Sequence, residues 1–220
     1  MQRKDLGSLE QQVHERILDL RENTEHDRIL AMTTLRISQS LDVDEILETT
    51  VNEVRQFLAT ERVIVYRFEP DGSGVVVVES VDESCFSMLG RTIHDPCLSQ
   101  DYLDAYSNDR VQSTEDIYAS NLSSCHIELL AHFGIRANLV VPIMQVPGLT
   151  LEQGKCVKSS KVWGLLATQQ CSGPREWKPS EIEFLQKLAI YVELAIHHAE
   201  LLDIALRGHL RTYYSRREST

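Results

Sequence analysis

Ser123-Ser124-Cys125-His126-Ile127-Glu128-Leu129-Leu130-Ala131-His132-Phe133-Gly134-Ile135-Arg136-Ala137-Asn138-Leu139-Val140-Val141-Pro142-Ile143 is the stretch on which the fold turns. It reads as a short helix, a glycine stop and a buried strand. Leu122, Leu129, Leu130 and Phe133 recur at helical spacing and mark the face turned to a core. Gly134 follows the last of them and suits a helix end. Leu139, Val140, Val141 and Ile143 form a run rich in β-branched residues, as a strand buried on both faces does. Cys125 and His126 fall in the first turn of the helix. Unpaired backbone N–H groups and the positive end of the helix dipole favour thiolate there.

The surrounding chain has 220 residues, with 22 basic and 33 acidic side chains and a net charge of −11. A phosphate backbone is repelled by that field, so nucleic-acid binding is not the expected role. No apolar run approaches the ~20 residues of a membrane span, and the charged N-terminus lacks a signal peptide's apolar centre. A cytoplasmic location is the default expectation. The five cysteines are Cys85, Cys97, Cys125, Cys156 and Cys171. Their number is odd and no CxxC pair exists, so neither a disulfide framework nor a structural zinc site is expected. Five free thiols are the plain reading, with Cys85 and Cys171 simply buried.

Before the opening stretch, Leu9, Val13, Ile17 and Leu20 predict an amphipathic helix. Ile29, Leu30, Met32 and Leu35 continue it after a polar break, Glu22 to Asp27. Asp42 or Asp44 caps a further helix carrying Ile46, Leu47, Val51, Val54 and Leu58. Arg62 to Phe68 and Val75 to Val78 predict a hairpin across the turn residues Glu69 to Gly74. Gly90 to Ile93 predicts a third strand. The long connection from His94 to about Asn121 is rich in tyrosine, which argues for function over disorder. Beyond the opening stretch, Gln145 to Lys161 reads as an exposed insertion and Val162 to Cys171 as a strand. Pro179 starts a long helix whose inner face is Ile182, Leu185, Leu188, Ala189, Val192 and Ile196. Its apolar stripe continues to Leu206, so it predicts a helix that leads to another domain or a dimer seam. The order predicts an α+β fold: an antiparallel sheet, terminal helices on one face, loops on the other.

These motifs, in this order, resemble the GAF domain of phytochrome-like photoreceptors, and within them the cyanobacteriochromes. Cys125-His126 is similar to the family's Cys-His pair. Arg136 to Ile143, Trp163-Gly164-Leu165-Leu166 and Cys171 to Arg175 are similar to the strands and turn that follow it. Asp95-Pro96-Cys97-Leu98 resembles the Asp-Xaa-Cys-Phe motif of the two-cysteine branch, with Cys97 placed 28 positions before Cys125. The resemblance spans roughly Leu41 to Leu202, and no single motif in it is strong.

The resemblance implies a chromophore pocket on the sheet face opposite the helices, holding phycocyanobilin or its isomer phycoviolobilin. Cys125 would carry the linear tetrapyrrole by a thioether to ring A, and His126 would lie against the pyrrole nitrogens. Asp95 would accept from pyrrole N–H groups. Cys97 would add to the central methine bridge, shortening the conjugated system and moving absorption to the violet or blue. Light would isomerise the 15Z/15E bond beside ring D and weaken that second thioether, giving a green- or teal-absorbing form. Leu98 stands where the motif has Phe, and Gln169 where many relatives carry His facing ring D. Some relatives use a cysteine of an inserted loop, so Cys156 is a rival to Cys97. Tyr106 is assigned to pigment contact. Tyr102 and Tyr118 stay open between lining the pigment and closing the loop, and Arg110 between a propionate and a surface ion pair.

The implied organisation is a signalling or dimerisation helix over 1–38, a bilin-binding domain over 39–202 and a linker helix over 203–220. The partners are a second copy and an output domain of histidine-kinase or cyclase type. No kinase or cyclase motif is present, so the chain reads as a sensor, not an enzyme. A GAF domain binding a cyclic nucleotide without covalent chemistry, in which Cys125 has no role, is one alternative. A pigment-free dimerisation module is the other. A cysteine-hydrolase dyad of Cys125 with His126 is disfavoured, because neighbours on a helix point about 100° apart.

Overall fold

A computed structural model describes residues 2–69, 73–94, 111–145, 150–152, 155–157 and 161–217. Helix α1 (Gln2–Gln39) runs unbroken through Glu22 to Asp27, so the polar break expected there does not interrupt it. Helix α2 (Val43–Leu58) starts at Asp42, whose carboxylate accepts from the Asp44 N–H at 2.8 Å. Of the two aspartates offered by the sequence, Asp42 is thus the cap, and it satisfies one orphan donor of the first turn. Ile46, Leu47, Val51, Val54 and Leu58 of α2 are all buried.

Strands β1 (Arg62–Phe68) and β2 (Gly74–Val81) form the expected hairpin. Strands β3 (Thr92–Ile93) and β4 (Gln112–Thr114) are short edge pieces. Helix α3 (Ser124–His132) carries Cys125 and leads into β5 (Ala137–Gln145). Leu122 precedes α3 instead of lying on it, yet packs into the same cluster as Leu130. Within the insertion, β6 (Thr150–Glu152) and β7 (Lys155–Val157) pair as a separate two-stranded ladder. Strand β8 (Lys161–Gln170) returns to the main sheet, and helix α4 (Pro179–Arg217) closes the chain.

The six-stranded sheet has the order β3-β2-β1-β8-β5-β4, and every pairing in it is antiparallel. Side chains alternate across it with period two. Val63, Val65, Leu139, Val141, Ile143 and Leu166 face α1, α2 and α4, where Val51, Leu185, Leu188 and Val192 meet them. Ile64, Tyr66, Val140, Leu165 and Ala167 face the other way, toward Leu130 and Ile135. Gly164 lets β8 approach β1 closely: a Cβ there would stand 2.5 Å from the Tyr66 carbonyl oxygen. Arg175 ties the start of α4 to α2, donating to the Leu58 carbonyl at 2.6 Å and to Glu181 at 2.8 Å. This is the α+β arrangement expected, with terminal helices on one sheet face and the connections on the other.

Candidate functional site

The sheet face away from the terminal helices carries α3, and between them lies an open cleft with roughly 640 Å³ of space, part of it continuous with solvent. Its floor is Ile64, Tyr66, Val140, Leu165 and Ala167, and its wall is His126, Leu129, Leu130 and Phe133. The period of two that buries Leu139 and Val141 against the helices turns Asn138 and Val140 toward the cleft.

The two ends of helix α3 are held differently. At its C-terminal end Gly134 takes a left-handed φ of +67°, and the Ile135 N–H returns to the Leu130 carbonyl at 3.0 Å. Just after it, Arg136 makes a two-pronged bond to Asp116, 2.8 Å in each prong, and lies 4.8 Å over the Tyr118 ring. Those side-chain bonds from Arg136 hold the Asp116 carboxyl below the usual carboxylate range. At the N-terminal end Ser123 makes no side-chain cap, so the first-turn N–H groups are left to other partners. Its hydroxyl lies 3.4 Å from Cys125 Sγ instead. Cys125 itself is exposed at the helix start. It is also disulfide-bonded, which corrects the expectation of five free thiols. Cys85 and Cys171 are free.

His126 is half-buried and lines the cleft. His132 lies on the exposed side of α3, stacked edge-on to Phe133. Tyr118, left open by the sequence, is exposed under Arg136 and lines no part of the cleft. Gln169 lines the cleft and is 3% exposed. Asp95, Cys97, Leu98, Tyr102, Tyr106 and Arg110 lie outside the described residues, as does the side chain of Cys156.

Two polar residues of the cleft region carry more than the sequence suggested. Arg62 has no exposed surface and is the largest fully buried side chain among the described residues. Its guanidinium donates to Gln169 Oε1 at 2.7 Å, to the Phe133 carbonyl at 3.0 Å and to the Phe86 carbonyl. It thereby joins β1 to β8, to the end of α3 and to the β2–β3 connection. The Arg62 bond fixes the Gln169 amide with Oε1 toward the guanidinium, so its NH₂ group is the side free to turn elsewhere. Asn138 is 5% exposed, and its Oδ1 has no hydrogen-bond partner among the described residues. A buried acceptor left unpaired costs roughly 1–3 kcal/mol, and of the four such oxygens among the described residues, those of Thr33, Thr34, Thr168 and Asn138, only that of Asn138 belongs to a cleft-lining residue. A lone Asn inside an otherwise apolar run was the available signal for it.

A GAF domain model matches residues 42–196, well over half of the chain. The chain belongs to the GAF domain family. Among solved structures, this GAF domain is similar to the blue-light absorbing form of the Thermosynechococcus elongatus PixJ GAF domain. That match has 34% identity and a TM-score of 0.66, covering 76% of this chain and 92% of the other. It is also similar to the phycocyanobilin-bound GAF domain of a cyanobacterial phytochrome, at 28% identity and a TM-score of 0.66, over 80% of this chain and 96% of that one. Among curated proteins, a putative methyl-accepting chemotaxis protein of Synechocystis is 38% identical over 84% of this chain. The circadian input-output histidine kinase CikA of Thermosynechococcus vestitus is 32% identical over 83% of this chain. The GAF domain spans only 17% and 24% of those two proteins' lengths. Its structural neighbours also include a cyanobacteriochrome TePixJ GAF domain and the phycoerythrobilin-bound GAF domain of a cyanobacterial phytochrome. Among the described residues no helix is long and apolar enough to cross a membrane.

Proposed function

We propose that this GAF domain is a light sensor that holds a linear tetrapyrrole, phycocyanobilin or phycoviolobilin, in the cleft beneath α3. The observation that carries the reading is the placement of Cys125 and His126 in the first turn of the helix that walls an apolar cleft. The cleft suits the group in its donor set as well as its apolar floor. Asn138 Oδ1 is an unpaired acceptor for a pyrrole N–H, and the Gln169 amide is a donor for a ring carbonyl. Cys125, its disulfide opened by exchange with a small-molecule thiol that is itself oxidised, would add across the ethylidene double bond of ring A, sulfur to one carbon and hydrogen to its neighbour. When bound, the tetrapyrrole would supply light absorption and a reversible 15Z/15E isomerisation. His126 would lie against the pyrrole nitrogens and Asp95 would accept from their N–H groups. Cys97 would hold the pigment by a second thioether, giving a blue-absorbing state and, with that bond released, a green- or teal-absorbing one. Leu98 and Tyr106 would contact the pigment.

Exposed apolar side chains along α1 and α4, among them Met32, Leu35, Ile190, Leu194 and Ile204, support a second copy as partner. The same helices would pass the signal to an output domain, as the relatives' membership of a histidine kinase and a chemotaxis protein suggests.

Coexpression with a phycocyanobilin pathway, followed by denaturation and zinc-enhanced fluorescence on a gel, tests the reading. The wild type retains fluorescent pigment and Cys125→Ala loses nearly all of it. A wild type with no covalent pigment contradicts the reading and favours a non-covalent or pigment-free GAF domain.

A further inference from the structure

Outside the cleft, three chain segments bring sulfur and oxygen donors together. Glu61 precedes β1, Cys85 lies between β2 and β3, and Cys171 follows β8. Their donor atoms all lie within 4.8 Å of one another, and each residue is partly exposed. Cys85 Sγ stands 3.9 Å from Glu61 Oε2. That same oxygen accepts from the backbone N–H groups of Cys171 at 2.6 Å and Ser172 at 2.8 Å, which fix its direction. None of the three residues lines the cleft.

We propose that Cys85, Cys171 and Glu61 bind one borderline-soft divalent cation of the zinc class, with water in the fourth position. Zinc bonds sulfur at about 2.3 Å and carboxylate oxygen at about 2.0–2.2 Å. Tetrahedral placement therefore puts sulfur and oxygen about 3.5 Å apart and the two sulfurs about 3.8 Å apart. With every donor pair within 4.8 Å, the present spacing needs adjustments of about 1.3 Å at most, and both cysteines are free. Two thiolates select zinc or cadmium over magnesium or calcium, which prefer oxygen. The backbone bonds to Glu61 act as the outer support such ligands require. Two thiolates, a carboxylate and a divalent ion sum to one negative charge; burial first, then the hydrogen bond with Cys85, push the Cys171 thiol up to about 12 against the opposing field of Arg62, so the metal has to displace a tightly held proton. Binding exchanges two thiol protons for two metal–sulfur bonds, with no change of oxidation state.

The ion would fasten the β2–β3 connection to the end of β8. Cys171 is two residues beyond Gln169, and Cys85 precedes Phe86, so the staple closes around the Arg62 contacts to both. This reading does not depend on pigment attachment, and neither does its test.

Zinc competition against a chromogenic chelator, on the full reduced chain, measures the site. The wild type takes up one more zinc per chain than the Cys85→Ser/Cys171→Ser double variant. Each single serine variant weakens that zinc at least tenfold, and Glu61→Gln weakens it less. Equal uptake by wild type and double variant overturns the proposal. A second readout needs no variant: zinc slows iodoacetamide alkylation of the peptides bearing Cys85 and Cys171 at least tenfold. Unchanged alkylation rates, or recovery of the two thiols as a disulfide with no zinc bound, overturn it as well.

Discussion

The two faces of the sheet are built from the same strands and differ in the space they leave open, although each holds a buried oxygen with no partner among the described residues, Thr168 Oγ1 on the helix face and Asn138 Oδ1 on the other. On the helix face Ile143, Val141, Leu139 and Leu166 interlock with α2 and α4, and each is at most 1% exposed. On the α3 face the same strands present Asn138, Gln169 and Tyr66 beside Ile64 and Leu165, around a cleft. Apolar burial at about 25 cal/mol per Å² stabilises the first face, and no ligand is needed to complete it. The second keeps an unpaired Asn138 acceptor and open volume, features that cost stability and gain meaning only with an occupant. Stability and recognition are thus separated by a period of two along each strand.

The largest expected effect is on the absorption of the pigmented protein. Cys97→Ala abolishes the short-wavelength band while pigment stays attached, read by absorption of the folded protein and by zinc fluorescence after denaturation. If that variant keeps the band and Cys156→Ala loses it, the second thioether belongs to the insertion.

The next contrast sets one face against the other. Ile143→Ala opens a cavity in a closed core and lowers stability by about 2–5 kcal/mol, measured by urea unfolding. Leu165→Ala enlarges a cleft that already exists and falls at or below the lower end of that range. Equal losses would mean that the α3 face is packed as tightly as the helix face.

Asn138→Val is smaller again and has opposite expectations with and without pigment. In the pigment-free protein it removes an unpaired acceptor and leaves the urea midpoint unchanged or raised. In the pigmented protein it removes a contact and shifts or broadens the absorption band. Loss of pigment-free stability beyond about 1 kcal/mol would show that Oδ1 has a protein partner after all.

Much of this division was legible in the sequence. The alternation in Arg62 to Phe68, the Gly134 stop and the Pro179 start correspond to elements of the structure. Cys125 and His126 lie in the first helical turn as expected. The meaning of Arg62 was not legible, since a charged residue at a strand start usually faces water. Its burial depends on acceptors 24, 71 and 107 positions away, which no local pattern announces. Asn138 was visible as a motif residue, but its missing partner is a property of the folded neighbourhood. The continuity of α1 across Glu22 to Asp27 was missed because polar composition was read as a break, although Glu and Arg are good helix formers. Glu61, Cys85 and Cys171 are scattered over 110 positions, so no spacing rule joins them.

The smallest effect expected is electrostatic. Asp116 has its folded pKa depressed by Arg136, so its stabilising contribution is present above the unfolded value of about 3.9 and is lost as pH falls through the folded value. The urea midpoint of the wild type should therefore drop more steeply below about pH 4 than that of Asp116→Asn, in which the contribution is absent. Parallel profiles would mean that the Arg136 clamp is screened to insignificance at this exposed site.

The central claim, that the α3 face is a pigment pocket anchored at the first turn of α3, is tested most directly by peptide mass spectrometry after coexpression with a phycocyanobilin pathway. The account predicts the added tetrapyrrole mass on the tryptic peptide containing Cys125, retained after denaturation. Pigment mass on no peptide, or on one lacking Cys125 while the Cys125 peptide stays unmodified, would contradict it.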